Sequence, residues 1–279
     1  MFSTLKELNL KPKPFSKLTT SVLWCDPYIS QQMLNFHLND STPLASRPTE
    51  FRKKAVNWIG QRFNITKGFK LLELGCGPGL YSKEFASLST DITAVDFSSN
   101  SIAYAKKQAE FDGLKINYLI HDYLELNLDN KFDLVSLIYL DYCALSPSQR
   151  KKLLTIIKQH LKPGGHFILD VVSQNYFYNV TEKAGYELEG QNGFWSKDEA
   201  YIFHNCFKYE SEFVTLDKFS IFESNRSWEV YNWMQSFTLE SLKAELSEFG
   251  LMFTDQIGDL TGAVYDQKSE QFALIAQNK

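Results

Sequence analysis

The sequence lacks several patterns that would assign it to a specialised class of protein. Its four cysteines stand far apart with no Cys-x-x-Cys pair, and its five histidines show no metal-ligand spacing, so we expect no structural zinc and no other metal. Apolar residues never run together for 18 positions, and the lysine-bearing N-terminal stretch has no apolar segment of signal-peptide length. These absences predict a cytoplasmic protein with reduced thiols and no membrane partner.

A strong excess of one charge is missing as well. The net charge is only −4, and no block of lysines and arginines forms a local basic patch. Neither long-range nor local attraction to a phosphate backbone is therefore available. We expect no nucleic-acid partner, and the sequence leaves the oligomeric state open.

What the sequence does contain is a regular alternation of short apolar runs with amphipathic stretches. Its 279 residues, 44% apolar and 22% charged, suit one large α/β domain or a domain with a sizeable insertion. Such alternation is typical of a parallel sheet with crossover helices. Strands are predicted at Lys70–Leu74, Ile92–Val95, Ile116–Ile120, Phe132–Ile138 and His166–Val172, and helices at 51–63, 98–112 and 146–161.

The region from Tyr176 to Phe237 differs in character. Aromatic side chains make up 17 of its 62 residues, and 218–222 and 228–233 alternate with the period of strands. We interpret 176–237 as an antiparallel β insertion that forms a lid, 1–50 as an N-terminal cover, and 51–175 with 238–279 as the main domain. In the last segment, Thr238 is expected to cap a helix and 271–276 to form an edge strand.

The strongest local motif joins the first strand to the helix after it. It reads Leu71-Leu72-Glu73-Leu74-Gly75-Cys76-Gly77-Pro78-Gly79-Leu80. Glycines let the backbone turn sharply and approach a ligand, and the following helix presents unpaired N–H groups to it. A glycine at position 79 instead of 80 departs from the G-x-G-x-x-G fingerprint of dinucleotide sites. A tight turn without a ligand is the alternative.

Acidic residues follow the second and third strands. Asp96, in Ala94-Val95-Asp96-Phe97-Ser98, lies at about the position where a carboxylate meets the hydroxyls of a bound ribose. A helix N-cap is the other interpretation of Asp96. Asp122, in His121-Asp122-Tyr123, follows the third strand, and a simple loop residue is the alternative there.

Together these motifs resemble those of class I S-adenosylmethionine-dependent methyltransferases, in particular the small-molecule group of types 11, 12 and 25. The resemblance covers about 51–172. It implies a Rossmann-like α/β fold with a doubly wound, mostly parallel seven-stranded sheet, and S-adenosyl-L-methionine as cofactor with S-adenosyl-L-homocysteine as product. Asp96 would then bind the ribose, Asp122 the adenine, and Ile138 and Tyr139 the methionine part.

An upstream arginine and tyrosine lie around the methionine end of the cofactor in enzymes similar to glycine methyltransferases, and Arg47 and Tyr28 are the matching candidates here. We expect Arg47→Ala to weaken cofactor binding several-fold with little change in melting temperature. The expected cofactor residues are Tyr28, Arg47, Glu73, Gly75, Cys76, Gly77, Gly79, Leu80, Tyr81, Asp96, Phe97, Asp122, Tyr123, Ile138 and Tyr139.

Methyl transfer from a sulfonium is a direct displacement, so the resemblance implies a small-molecule acceptor aligned in a dry pocket. Asp141 and Tyr142 follow the fourth strand, where open α/β sheets bind ligands, and are candidate catalytic residues; a surface Asp beside a packed Tyr is the alternative. His204 is a candidate base or a structural histidine. Trp195 and Tyr201 are candidates for acceptor binding or for packing within the insertion. The sequence leaves open which atom is methylated and whether a base is needed.

Three other functions compete with this interpretation. A nicotinamide-dependent oxidoreductase is disfavoured by the glycine spacing and by the absence of a second mononucleotide-binding half. A nucleic-acid methyltransferase is disfavoured by net acidity and by Asp141-Tyr142, where an Asn-Pro-Pro-aromatic or Asp-Pro-Pro-aromatic motif would stand. A module that binds the cofactor without turnover stays open.

Overall fold

A computed structural model of the chain describes residues 2–42 and 45–279; Met1, Pro43 and Leu44, all in the predicted N-terminal cover, lie outside the described residues. The helices are α1 (Phe2–Leu8), α2 (Thr20–Cys25), α3 (Pro27–Leu38), α4 (Thr49–Arg62), α5 (Leu80–Ala86), α6 (Ser99–Phe111), a 3₁₀ turn (Tyr123–Glu125), α7 (Asp141–Ala144), α8 (Pro147–His160), α9 (Gln174–Asn179) and α10 (Leu239–Ser247). The strands are β1 (Lys70–Leu74), β2 (Asp91–Asp96), β3 (Ile116–Ile120), β4 (Phe132–Leu137), β5 (Leu161–Val172), β6 (Lys183–Glu189), β7 (Ala200–Tyr209), β8 (Val214–Phe222), β9 (Ser227–Gln235), β10 (Leu251–Ile257) and β11 (Gln271–Asn278).

The main sheet has the order β10-β11-β5-β4-β1-β2-β3 within the described residues. Strands β1 to β5 pair in parallel, and β11 runs antiparallel to β5 and β10. The strand order reverses between β1 and β4, so the carboxyl ends of these two strands form the crevice where open α/β sheets bind ligands. The predicted fold class is confirmed.

Helices cover both faces of this sheet because successive strand residues point to opposite sides. One face packs against the apolar stripes of α8 and α10, and the other packs against α4, α5 and α6. Two helix starts match the sequence signals. Ser146 and Gln149 form a capping box before α8, and Thr238 caps α10 with Ser241 as its partner.

The expectation that 271–276 forms an edge strand is wrong. Strand β11 lies between β5 and β10, and β10 is the edge of the sheet. The run Gln271–Asn278 is almost entirely buried, whereas β10 is buried only at its two ends. Continuous apolarity in β11 therefore reflects an interior position in the sheet.

A second sheet, β6-β7-β8-β9, is antiparallel throughout. Its inner face packs against α2 and α3 of the N-terminal region, in a cluster that includes Leu23 and Ile29. Its outer face is covered by a strap formed by residues 8–19. Within it, Lys218 Nζ donates to the Leu8 carbonyl at 3.1 Å and Trp233 Nε1 donates to the Lys17 carbonyl at 2.7 Å.

The elements that the sequence analysis did not predict include α1 to α3, the short helices α7 and α9, and strands β6, β7 and β10. Strand β6 is exposed along most of its length and α3 shows only a weak apolar stripe, so neither carries strong periodicity. Among the residues that the structure describes, no helix is both long and apolar enough to cross a bilayer.

Candidate functional site

The glycine turn between β1 and α5 is built on left-handed backbone. Gly75, Gly77 and Gly79 have φ values of 66°, 53° and 76°, which residues with a Cβ rarely adopt. A Cβ on Gly75 would lie 2.7 Å from Asp141 Oδ2, and one on Gly79 would overlap the Tyr118 hydroxyl. The turn therefore requires glycine both for its backbone conformation and for the close approach of its neighbours.

Asp96 is fixed at this turn from the end of the neighbouring strand. Its Oδ2 accepts the Gly77 N–H at 2.9 Å, and its Oδ1 accepts the Ser98 N–H at 2.8 Å. Burial raises the pKa of Asp96, while these two N–H groups lower it. The N-cap interpretation of Asp96 is wrong, because Ser98 caps α6 by accepting from Ser101. A carboxylate has further lone pairs, so each oxygen of Asp96 still has room for a ligand hydroxyl.

The Glu73 side chain lies between β1 and α5. Its side chain is buried, with the residue 3% exposed, and Ser82 on α5 donates a hydrogen bond to Oε2. Burial raises the pKa of Glu73 to about 8, with a further contribution from the charge of Asp96. This carboxyl ties β1 to α5, and so supports the turn from beneath.

Arg47 and Asp170 form a partly buried ion pair beside the turn. Arg47 Nη2 lies 3.4 Å from Asp170 Oδ2, and the guanidinium also bonds Gln271 and lies against the rings of Phe51 and Tyr139. Among the residues that the structure describes, none is a hydrogen-bond partner for the buried Arg47 Nε.

The Tyr81 hydroxyl is likewise buried with no hydrogen-bond partner in the described part of the chain. The charges of Asp170 and Arg47 both act on Tyr81, although burial is the main reason that its pKa is raised. Arg47 Nε and the Tyr81 hydroxyl are thus two unsatisfied donors in one region. A buried donor without a partner is costly, so this region suits an anionic ligand group such as a carboxylate.

The segment after β4 is held in an unusual conformation. Tyr139 and Leu140 have φ values of 74° and 64°, in the left-handed region that is rare for residues with a Cβ. Asp170 Oδ1 stabilises this conformation by accepting the Tyr139 N–H at 2.7 Å and the Leu140 N–H at 3.2 Å. The chain is thereby turned so that Asp141, the first residue of α7, lies over Gly75.

Asp141 is a second carboxylate at the glycine turn, after Asp96. Tyr123 donates a hydrogen bond to it, and burial raises the pKa of Asp141 to about 7. Asp122 is exposed and accepts the Leu124 N–H at 2.8 Å, as the cap of the 3₁₀ turn. Asp122 thus has a local role of the kind expected of a loop residue.

The remaining candidate residues lie at or next to the glycine turn. Cys76 and Ile138 are buried beside the turn, whereas Leu80 begins α5 and Phe97 follows Asp96, both partly exposed. The structure therefore brings the ends of β1, β2 and β4 together with Arg47 and Tyr81.

Tyr142 does not lie in this site. Its side chain is fully buried against Phe237, and its hydroxyl donates to Glu245 on α10 at 2.9 Å. The assignment of Tyr142 as a catalytic residue is wrong, because the first turn of α7 directs this side chain into the core. The alternative of a packed tyrosine describes it.

Three further candidates contact other parts of the molecule. Tyr28 donates from its hydroxyl to the Gly193 carbonyl at 2.5 Å and packs against the second sheet, away from the glycine turn. Trp195 is buried in the cluster between α2, α3 and that sheet, with its ring 4.6 Å from Phe219. Tyr201 lies on the outer face, 48% exposed. The structure therefore does not support Trp195 or Tyr201 as acceptor contacts, because Trp195 packs in this cluster and the alternation of β7 turns Tyr201 to the outer face. It does not support Tyr28 as a cofactor contact, because the packing of α3 directs this side chain to the second sheet.

His37, on α3, is a site residue that the sequence analysis missed. A Cβ on Gly77 would lie 3.5 Å from its ring, so the imidazole covers the glycine turn. His37 Nδ1 bonds Ser46 Oγ at 2.7 Å, its ring lies 5.5 Å from Trp24, and burial lowers its pKa to about 4. No sequence signal identified it, because the helix that carries it has no clear periodicity.

His204 lies on the inner face of the second sheet, 27% exposed, as one member of a pair. Its Nε2 is 2.6 Å from Asp217 Oδ1 on β8, and its ring stacks on Phe219 with centroids 4.4 Å apart and planes 9° apart. This geometry fixes the imidazole in both position and tilt.

Two cavities flank the main sheet. One of about 480 Å³ lies at the amino ends of the strands, lined by Lys70, Asp91 and Lys115, and one of about 190 Å³ lies beside Pro78 and Leu80. The larger cavity is at the edge of the sheet opposite to the glycine turn. Open α/β sheets bind their ligands at the carboxyl ends, so the residues around the turn are the better candidate site.

The chain is similar in sequence and in fold to known methyltransferases. Residues 71–165 match the family described as methyltransferase domain. A ubiquinone biosynthesis O-methyltransferase of Coxiella burnetii (strain Dugway 5J108-111) is 31% identical over 129 residues, which are 45% of this chain and 53% of that protein. The chain therefore spans about half the length of this curated relative.

Two solved structures show a similar fold. A S-adenosylmethionine-dependent methyltransferase from Clostridium acetobutylicum ATCC 824 has a TM-score of 0.68 at 16% identity, covering 89% of this chain and 98% of that one. The CcbJ methyltransferase from Streptomyces caelestis has a TM-score of 0.65 at 14% identity, covering 86% and 98%.

Proposed function

We propose that this chain, whose residues 71–165 match a methyltransferase-domain family, is a class I S-adenosylmethionine-dependent methyltransferase that transfers a methyl group from S-adenosyl-L-methionine to a small-molecule acceptor. The products are S-adenosyl-L-homocysteine and the methylated acceptor. The observation that carries the proposal is the pairing of two features around one glycine turn. On one side of the turn, the Gly77 N–H donates to the Asp96 carboxylate and holds it in place. On the other side lie the unsatisfied donors of Arg47 and Tyr81.

The residues around the turn fit the parts of this cofactor. Asp96 would accept hydrogen bonds from the two ribose hydroxyls, because its oxygens are already aligned by Gly77 and Ser98. Phe97, Asp122 and Tyr123 follow the ends of β2 and β3 and would surround the adenine. Gly75, Cys76, Gly77, Gly79 and Leu80 would supply backbone that approaches closely.

The methionine end of the cofactor would lie toward Arg47. Its Nε and the Tyr81 hydroxyl would donate to the carboxylate, and Ile138 and Tyr139 would contact this part through the backbone. Asp141, held over Gly75, would lie toward the ammonium group, whose positive charge favours the ionised carboxylate. The carboxylate and the ammonium group of the cofactor would thus each have a complementary side chain.

When bound, the cofactor supplies a methyl group on a positively charged sulfur, which a nucleophile displaces directly. The protein's part is to align the acceptor and exclude water. His37 on α3 covers the glycine turn and contacts Trp24 on α2, and both helices pack against the inner face of the second sheet. The insertion 176–237 and the cover 1–50 would therefore enclose the acceptor, while 51–175 and 238–279 hold the cofactor.

The class of acceptor is inferred from composition and from similar proteins. The matched curated relative is an O-methyltransferase of ubiquinone biosynthesis, and the net charge of −4 gives no attraction to nucleic acid. A small acceptor also fits a site covered by α3. A cytoplasmic location belongs to the proposal and rests on sequence composition alone.

Calorimetric titration with S-adenosyl-L-homocysteine and, separately, with NAD⁺ tests the proposal. We expect heat with the first ligand only. Asp96→Ala should weaken S-adenosyl-L-homocysteine binding at least tenfold, or about 1.4 kcal/mol, because the ribose hydroxyls lose their acceptor. Asp91→Ala is the matched control, since Asp91 lies at the exposed start of the same strand. The affinity of this variant for S-adenosyl-L-homocysteine should equal that of the wild type. Heat with NAD⁺ alone would refute the proposal.

A further inference from the structure

The inner face of the second sheet carries a polar cluster that the cofactor site does not use. Asp217 on β8 pairs directly with Cys206 on β7 and with Asn232 on β9, so the three side chains share one face. His204 is on the same face and bonds Asp217 diagonally. His204, Asp217 and Asn232 are all at least partly exposed, which is unusual beside the apolar packing of the same face.

This cluster faces the acceptor side of the main sheet. The inner face packs at one end on α2 and α3, whose Trp24 contacts His37 over the glycine turn. On the other side, Tyr176 of α9 lies near both Asp217 and Cys143 of α7, and α7 itself contacts β9. The cluster therefore lies between the cover of the cofactor site and the carboxyl end of β4.

The hydrogen bond to Asp217 determines which nitrogen of His204 can act. A carboxylate only accepts hydrogen bonds, so His204 Nε2 carries the proton and donates it to Asp217. Nδ1 then keeps its lone pair. The stacked Phe219 ring prevents the imidazole from tilting, as a base aimed at a bound acceptor requires.

Other titratable groups near this pair come from three elements. Cys206 bonds Asp217, and burial raises the pKa of this thiol to about 11, so it stays protonated. Burial is the main cause of the raised pKa of Tyr176, and the charge of Asp217 raises this pKa further. Lys183 and Glu182, beside Cys206, carry opposite charges.

We propose that His204 is the general base of the reaction, that Asp217 positions it, and that the acceptor is methylated on a hydroxyl oxygen. This inference rests on the proposed methyltransferase function. The acceptor O–H bond breaks and its proton passes to His204 Nδ1. The oxygen electron pair forms the bond to the methyl carbon, while the carbon–sulfur bond breaks with its electrons moving to sulfur. The imidazolium then releases its proton to solvent.

The base favours an oxygen acceptor over an amine. A neutral amine attacks with its own lone pair and loses its proton afterwards, so it needs no oriented base in the transition state. A hydroxyl is a weak nucleophile until it loses its proton. A histidine that is fixed by both a carboxylate and an aromatic ring is therefore informative about the atom that is methylated.

A phenol that changes colour on ionisation tests this directly. 4-Nitrophenol is added to the protein saturated with S-adenosyl-L-homocysteine, at a pH where the free phenol is mostly protonated, and phenolate absorbance is measured. We expect wild-type protein to bind the probe as phenolate, with the proton on His204. His204→Gln should reduce the bound phenolate at least tenfold, and Asp217→Asn should reduce it to an intermediate level. His166→Gln, with its ring against Phe63, is the matched control and should behave as wild type.

The outcomes separate this inference from the proposed function. Affinity for S-adenosyl-L-homocysteine is measured first in every variant and should be unchanged, which also shows that each variant is folded. Protein that binds S-adenosyl-L-homocysteine but leaves the phenol protonated or unbound overturns the role of His204 and keeps the methyltransferase proposal. Equal ionisation in wild type and His204→Gln overturns it too. Failure of wild-type protein to bind S-adenosyl-L-homocysteine overturns both.

Discussion

Truncating Arg47 tests whether the ion pair with Asp170 both stabilises the fold and prepares the cofactor site. The two side chains are 19% and 5% exposed, so Arg47→Ala leaves a buried carboxylate without its cation. Breaking a buried pair commonly costs about 3–5 kcal/mol. The pair is long at 3.4 Å, and Asp170 keeps two backbone N–H donors. We therefore expect a loss of about 2 kcal/mol in the free energy of unfolding.

This expectation replaces the sequence-based one, in which the melting temperature hardly changed. The same variant should bind S-adenosyl-L-homocysteine about tenfold more weakly, since a hydrogen bond to a charged group contributes about 1.5–3 kcal/mol. Urea unfolding measures the first effect and calorimetry the second. Asp170→Asn added to Arg47→Ala should recover part of the stability, because it removes the unpaired charge.

Arg62→Ala is the matched control. Arg62 also pairs with a carboxylate, Asp255, at 3.4 Å, but both side chains are 40% exposed. Exposed pairs contribute about 0–1 kcal/mol. If Arg47→Ala destabilises the protein no more than Arg62→Ala does, burial of the Arg47 pair has no energetic consequence and the argument for a prepared anion site is refuted.

Three further variants test other parts of the structure. Gly79→Ala should abolish S-adenosyl-L-homocysteine binding, because a Cβ there overlaps the Tyr118 hydroxyl on left-handed backbone; unchanged affinity by calorimetry would contradict the role of the turn. Tyr142→Phe should cost about 1 kcal/mol in urea unfolding, through loss of the bond to Glu245, and leave S-adenosyl-L-homocysteine affinity unchanged; a large loss of affinity would restore Tyr142 to the site. Glu73 has a pKa of about 8 when folded and 4.5 when exposed, so the folded state binds its proton more tightly and stability falls as pH rises from about 4.5 to 8, by at most about 1.4 kcal/mol per pH unit. Glu73→Gln should flatten this dependence in unfolding measured across that range, and an unaltered slope would show that Glu73 is ionised in the folded protein.

The central strands could be predicted from the sequence because burial on both faces leaves a continuous apolar signal. Lys70–Leu74 matches the interior strand β1 at both ends. Ile116–Ile120 matches β3, an edge strand that is only partly buried but still apolar at alternate positions. Strands β6 and β10 could not be predicted, since their mostly exposed side chains carry no such signal. The position of β11 inside the sheet depends on pairing with β10, which is a tertiary contact that local pattern does not encode.

Within the site, the glycine turn and Asp96 could be predicted because the chemistry lies in a short stretch and in one strand end. Tyr142 was misassigned because sequence position does not give the direction of a side chain on a short helix. His37 was missed because its role depends on tertiary packing. Its place over Gly77 depends on how α3 packs, and no residue near it in sequence indicates this contact.

The strap across the outer face of the second sheet has a consequence for biosynthesis. Its hydrogen bonds join positions 210 and 216 residues apart in the chain. Residues 8–19 are synthesised before the second sheet and therefore have no docking surface on it until Trp233 has been made. Such distant pairings form slowly, and until they form, the aromatic outer face is open to other chains. Release of the nascent protein with the strap undocked would be the step most vulnerable to aggregation.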